Sequence, residues 1–128
     1  MNVVGRRDEA LAAFRAWAAE IGMHVTTHRW EAASPEVEVT ISATVAGATD
    51  DRVVPDAPKL LFDVIYAPWP TAFAANWLAS GGHVLSGLDL LVHQAAEQVL
   101  LMTRVHPDNR SAIVQAMYEA IRATEFRA

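Results

Sequence analysis

The chain has 128 residues, about half of them apolar, which is enough to bury one core and too short for two domains of the usual size. Fifteen acidic residues against ten basic ones give a formal charge of -5, which excludes the basic surface of a nucleic-acid binder or of an anionic-membrane binder. Without a cysteine there is no disulfide framework, thiolate metal site or cysteine nucleophile.

The start, Met1 to Arg7, lacks the apolar core of a signal peptide, and no stretch reaches the length of a membrane span, so a soluble, cytoplasmic chain is expected. Val3 and Val4 predict a short strand that turns at Gly5 to Asp8. Leu11, Phe14, Ala18 and Ile21 then recur at helical spacing until Gly22. A second strand is predicted from Met23 to Thr27. Beyond Pro35, the alternation of Val37, Val39 and Ile41 with polar residues predicts a third strand running into Ser42-Ala43-Thr44. Val45 to Pro58, with Gly47, Asp50, Asp51, Pro55 and Pro58, reads as a loop with room for one helical turn.

Leu60 to Tyr66 is a near-continuous apolar run, the pattern of a parallel strand covered on both faces and central in its sheet. Thr71 suits the N-cap of a helix over Phe73 to Ser80, which Gly81-Gly82 would end. His83 to Leu85 predicts a last strand. Ser86 or Gly87 then starts a helix with Leu88, Leu91, Val92, Ala95, Val99 and Met102 inward. A final helix runs from about Pro107 to Thr124 with Ile113, Met117 and Ile121 inward. This alternation gives an α/β fold class: a partial Rossmann-like, three-layer domain with a mainly parallel sheet, spanning 1–128 as one unit. The Gly-x-Gly-x-x-Gly turn that opens a complete dinucleotide domain occurs nowhere.

Several residues fall where such folds carry chemistry. Arg6 and Arg7 follow the first strand; they are either two solvated arginines before a helix or a pair able to grip a ribose 2′-phosphate, which arginine binds bidentately. Ser42, Thr44 and Gly47 lie at a strand end, either as an ordinary loop or beneath a ligand. Tyr66 follows the buried run and is either a packing residue or a hydroxyl for a ligand. Gly87, Leu90 and Gln94 share one narrow helical arc that could face a cleft. Asp63 reads as a structural side chain satisfied by backbone amides or a neighbouring hydroxyl. His24 and His28 do not share a face as helical ligands would, so no metal site is expected. No Ser-His-Asp set is legible, and His93 reads as solvated.

Asp63-Val64-Ile65-Tyr66-Ala67-Pro68-Trp69-Pro70-Thr71, followed at helix distance by Ser86-Gly87-Leu88-Asp89-Leu90-Leu91-Val92-His93-Gln94-Ala95, resembles the shikimate dehydrogenase family. The likeness is strong from Asp63 to Thr103 and moderate from Val3 to Gly47. It implies the carboxyl-terminal, NADP-binding part of an enzyme that reduces 3-dehydroshikimate to shikimate in aromatic amino-acid biosynthesis. Arg6 would then be the main 2′-phosphate ligand and Arg7 its helper. Ser42-Ala43-Thr44-Val45-Ala46-Gly47 is similar to the family's Asn-Ala-Thr-Pro-x-Gly turn under the cofactor, with Ser42 and Val45 as departures. Gly87 and Leu90 would lie by the nicotinamide, and Tyr66 and Gln94 by the substrate.

The resemblance also implies what this chain does not carry: the substrate domain, the catalytic lysine and aspartate, and the phosphate turn. Lys59, the sole lysine, begins a strand and cannot replace the catalytic one. No catalytic residue is therefore assigned, and the chain alone is expected to be inactive. In a 3-2-1-4-5-6 sheet the missing first strand is central, so its two flanks are expected to close by pairing directly, or to be filled by another chain, with homo-oligomers through the exposed edge as one form. A non-catalytic half-Rossmann binding or assembly module, and a quinate or shikimate dehydrogenase paralogue, are the alternatives.

Overall fold

In a computed structural model, residues 1–32 and 34–125 are described. The elements are β1 (Asn2–Gly5), α1 (Asp8–Glu20), β2 (Thr26–Arg29), β3 (Val39–Ser42), β4 (Leu60–Asp63), α2 (Ala72–Ala79), β5 (His83–Ser86), α3 (Gly87–Thr103), a 3-10 turn (Pro107–Asn109) and α4 (Arg110–Glu125). Every strand pair is parallel, as the alternation with helices requires.

Local chemistry sets most of these boundaries. α1 ends in a Schellman motif: Gly22 is left-handed at φ +72°, its amide bonds the Ala19 carbonyl, and the Met23 amide bonds that of Ala18. Met23 is thereby spent on the helix cap, and the second strand begins at Thr26 rather than at Met23. β4 stops at Asp63, short of the Tyr66 that the apolar run suggests, because the Asp63 side chain accepts the Ile65 amide at 3.2 Å and turns the chain. Thr71 caps α2 as expected, accepting the Ala74 amide at 3.1 Å, and Gly81 closes that helix at φ +86°. Two X-Pro bonds in the β4–α2 loop, Ala67-Pro68 and Trp69-Pro70, are cis.

The core gathers Leu61 of β4 with Phe73, Ala74 and Trp77 of α2, and Val54 and Val84 pack against it. The Trp77 ring meets Phe73 edge-on, and its indole N–H donates to the Lys59 carbonyl. β4 is central in its three-stranded sheet, as its apolar run implies. On α3 the buried positions are Gly87 at its start and, farther along, Val92 and Ala96, one turn apart. Leu91 and Met102 lie about a quarter turn from that stripe and are exposed, contrary to their expected inward placement. On α4, Ile113, Met117 and Ile121 are half-buried along the face toward α3.

The largest departure from expectation concerns the sheet. The flanks do not pair directly: among the described residues β1-β2 forms one parallel sheet and β3-β4-β5 another. The physical reason lies in the helix layers: α1 packs on β1 and β2, and α2 on β4 and β5, and Phe14 of α1 and Phe73 of α2 stand at the space that direct pairing would have to close. The free edges of β1 and β3 instead line one cavity of about 650 Å³, with Phe14 of α1 and Phe73 of α2 in its wall.

Candidate functional site

In parallel sheets with helical crossovers, ligands bind beyond the carboxyl ends of the strands. Here that rim collects the candidates. Arg6 and Arg7 follow β1, Ser42 ends β3 with Thr44 just beyond, Tyr66 follows β4, and Gly87 follows β5.

Arg6 crosses from the first sheet to the loop after β3, where its Nη2 donates to the Ala48 carbonyl at 2.6 Å. Its guanidinium carbon lies 4.4 Å from the ring centroid of Trp30, and that of Arg52 lies 5.1 Å from the same ring. Arg52 also donates to the carbonyls of Trp30 and Ala32 and to the Ser34 hydroxyl. Two cations and an indole thus form a platform at the rim, joining both half-sheets by side chains. Sequence reading missed Trp30 and Arg52. Trp30 had a usable signal, an aromatic ring directly after a strand, whereas Arg52 sits in an irregular loop whose path no local pattern sets.

Arg7 is exposed at the start of α1. Asp8, the acid nearest these arginines in sequence, is engaged elsewhere, by both Nε and Nη2 of Arg29. The Arg29 hydrogen bonds hold the Asp8 carboxyl below its ordinary range, so its charge is directed at Arg29.

Ser42 is buried, and its hydroxyl stands 3.4 Å from that of Thr44; both line the cavity between β1 and β3. Tyr66 is 56% exposed. Its loop is tied to α3, because the Gly87 amide donates to the Ile65 carbonyl at 3.1 Å. A Cβ on Gly87 would lie 2.0 Å from the Val64 carbonyl oxygen, so close backbone approach already requires glycine here. Leu90 and Gln94 are exposed farther along α3. The candidates therefore form two groups: Arg6, Ser42 and Thr44 with the platform and cavity, and Tyr66, Gly87, Leu90 and Gln94 around the start of α3.

Asp63, as expected, is structural: it is fully buried and accepts from the Thr71 hydroxyl at 2.7 Å and from the Ile65 amide. Among the described residues no group of three or more His, Cys, Asp or Glu could hold a metal, and no helix is long and apolar enough to cross a membrane.

The start of α3 is fixed by a capping box in which Ser86 accepts the Asp89 amide and Asp89 accepts the Ser86 amide. The Tyr118 hydroxyl of α4 donates to Asp89 at 2.7 Å. Burial raises the Asp89 carboxyl, but the hydrogen bonds from Tyr118 and Ser86 together outweigh it and leave the group below its ordinary value. The same bond, aided by burial, pushes Tyr118 up to about 12.

A depressed carboxyl stabilises the fold above its unfolded value near 4, and that contribution is lost as pH falls through the folded pKa. A raised phenol stabilises below about 10, and its contribution is lost as pH rises toward 12. Thermal melts of the chain and of Tyr118→Phe across alkaline pH are expected to show a fall between about pH 10 and 12 that the variant lacks. Parallel alkaline falls would refute the pairing.

No family model matches the chain. It is 30% identical over 109 residues to the shikimate dehydrogenase (NADP(+)) of Crocosphaera subtropica, covering 73% of this chain and 38% of that protein. To the enzyme of the same name from Archaeoglobus fulgidus it is 32% identical over 106 residues, covering 77% and 38%. Among solved structures, Mycobacterium tuberculosis shikimate dehydrogenase superposes with a TM-score of 0.66 at 30% identity, covering 90% of this chain and 46% of that one. A shikimate 5-dehydrogenase from Mycobacterium fortuitum gives 0.67 at 25% identity, covering 88% and 45%. The chain spans less than half the length of these relatives.

Proposed function

For a chain that belongs to the shikimate dehydrogenase family, we propose the role of the NADP-binding part of an enzyme interconverting 3-dehydroshikimate and shikimate, as one partial domain that does not turn over substrate alone. The observation that carries this reading is the placement of the candidates on the carboxyl rim of parallel strands, in a chain whose relatives are named for NADP(+).

The residues present fit one end of that cofactor. Arg6 and Arg52 over Trp30 offer charge for a 2′-phosphate beside a flat apolar surface for adenine. Ser42 and Thr44 would line the path between that end and the reactive one. Gly87 and Leu90 would border the nicotinamide, while Tyr66 and Gln94 would offer a hydroxyl and an amide to a polyhydroxy acid. The bound cofactor would supply the hydride, and the chain's part is to hold and orient. The pyrophosphate has no glycine-rich turn here to receive it, so the affinity of the chain alone should rest on the adenosine end.

Binding of 2′,5′-ADP and of ordinary ADP, followed by tryptophan fluorescence or amide NMR shifts, tests this directly. The 2′-phosphate form is expected to bind about tenfold more tightly, the worth of one charge-assisted contact, and Arg6→Ala should close that gap. Equal binding of the two nucleotides by the unaltered chain would overturn the phosphate assignment.

A further inference from the structure

α4 is held by one seat and one short hinge. Among the described residues no buried core side chain lies on α4, and its main packing is against α3 and the adjoining 3-10 turn. The Tyr118 hydroxyl donates to Asp89, and Arg110 donates to Glu97, both on α3. Lifting α4 away would therefore uncover one side of α3 and leave both half-sheets and the cluster around Trp77 intact.

The hinge is Arg104 to His106, the three residues between α3 and the 3-10 turn. α1 and α2 are followed by glycines in the left-handed region, Gly22 at φ +72° and Gly81 at φ +86°, where no Cβ opposes the turn. α3 ends instead on Arg104 at φ 56° and ψ 23°, the one non-glycine residue with positive φ among those described. Its Cβ meets the crowding that glycine avoids, so the closed hinge is strained. His106 is already extended at ψ 139°, as suits a residue before proline. The strain is thus concentrated at Arg104 and is released once the chain there extends.

Exposed apolar side chains gather at the same place. Leu101 and Met102, in the last turn of α3, are 80% and 83% exposed, and Val105 in the hinge is 42% exposed. A single closed chain leaves them bare, whereas two extended hinges crossing side by side bury them against one another.

We infer that α4 exchanges between two copies of this chain: the hinge extends, and the α4 of each copy takes the seat on the α3 of the other. The exchange keeps the bonds from Tyr118 to Asp89 and from Arg110 to Glu97, because the seat is the same in both copies. It adds relief of the left-handed Arg104 in both hinges and an apolar crossing at Leu101, Met102 and Val105. Lost freedom on association opposes it, so the exchanged dimer forms at high concentration and the closed monomer at low. The inference rests on the fold and goes beyond the dehydrogenase reading.

The lack of cysteine makes the test clean. One chain carrying Glu97→Cys is mixed with another carrying Arg110→Cys; the two positions touch across α3 and α4 and are exposed, so losing their ion pair costs little stability. The mixture is unfolded in urea, refolded at micromolar to millimolar concentrations and treated with a short bismaleimide. Exchange brings the two thiols together although they belong to different molecules. A cross-linked dimer is therefore expected that grows with concentration and is much weaker when either variant is treated alone. Sedimentation of the unaltered chain should show the same dimer. Arg104→Gly is expected to lower the association constant of the dimer at least about tenfold, since both closed hinges lose their strain. A chain that stays monomeric at millimolar concentration, a dimer without the mixed cross-link, or a constant that Arg104→Gly leaves unchanged would each overturn the inference. Should the hinge variant fail to fold, the cross-link still decides, because neither of its positions lies in the hinge. Nucleotide plays no part in these readouts, so the exchange and the 2′,5′-ADP preference stand or fall separately.

Discussion

Gly87→Ala is expected to destabilise the chain by about 3 kcal/mol, the upper part of the range for overpacking. The new methyl would sit 2.0 Å from the Val64 carbonyl oxygen and 2.7 Å from its carbon, both of them main-chain atoms that no rotamer change can move. Relief would require shifting the start of α3, which the Ser86–Asp89 capping box, the bond from Gly87 N to Ile65 O and the β4–β5 ladder all hold. The gain in helix propensity, up to about 1 kcal/mol, works the other way and does not offset the clash. Urea denaturation checks the result through a lowered midpoint at unchanged slope. The outcome also separates two roles: a variant as stable as the parent but weaker in nucleotide binding would mean that the glycine serves the ligand and not the packing.

The second large effect is expected at Asp63. Its side chain is fully buried, and Asp63→Ala leaves the buried Thr71 hydroxyl and the partly buried Ile65 amide without their acceptor. At about 1–3 kcal/mol per orphaned buried group, partly relieved because the Thr71 hydroxyl can rotate, the loss should be roughly 2–4 kcal/mol. Asp63→Asn keeps one acceptor oxygen and should lose about half as much. Thermal melts of the two variants would decide it: equal losses, with the isosteric Asn rescuing nothing, would overturn the graded hydrogen-bond account, and an Asn variant as stable as the parent would mean that the Asp63 side chain acts by volume.

Both positions show how unevenly the sequence reveals the molecule. The apolar run at Leu60, the cap at Thr71, the glycine at 81 and the serine before α3 announce strands and helices through contacts within a few residues, and the described structure contains each of them. Boundaries moved where a local motif competed with the hydrophobic pattern: the Schellman cap at Gly22 displaced β2, and the Asp63 turn shortened β4. The separation of the sheets was not legible, because it depends on how helices from both halves pack against the strands, a property of the whole chain. The rim was legible as a set of strand ends, so Arg6, Ser42, Tyr66 and Gly87 could be singled out by position. Arg52 lies 22 positions beyond Trp30, on the far side of β3, and no periodicity encodes such a contact.

The bare edge of β3 carries a practical consequence for handling the protein. Val39 and Ile41 stand exposed on a strand with no lysine or proline in it to discourage pairing between molecules. Association between molecules through such an edge quickens with concentration. Yield from cells should respond more to slower synthesis than to any change that merely raises the melting point.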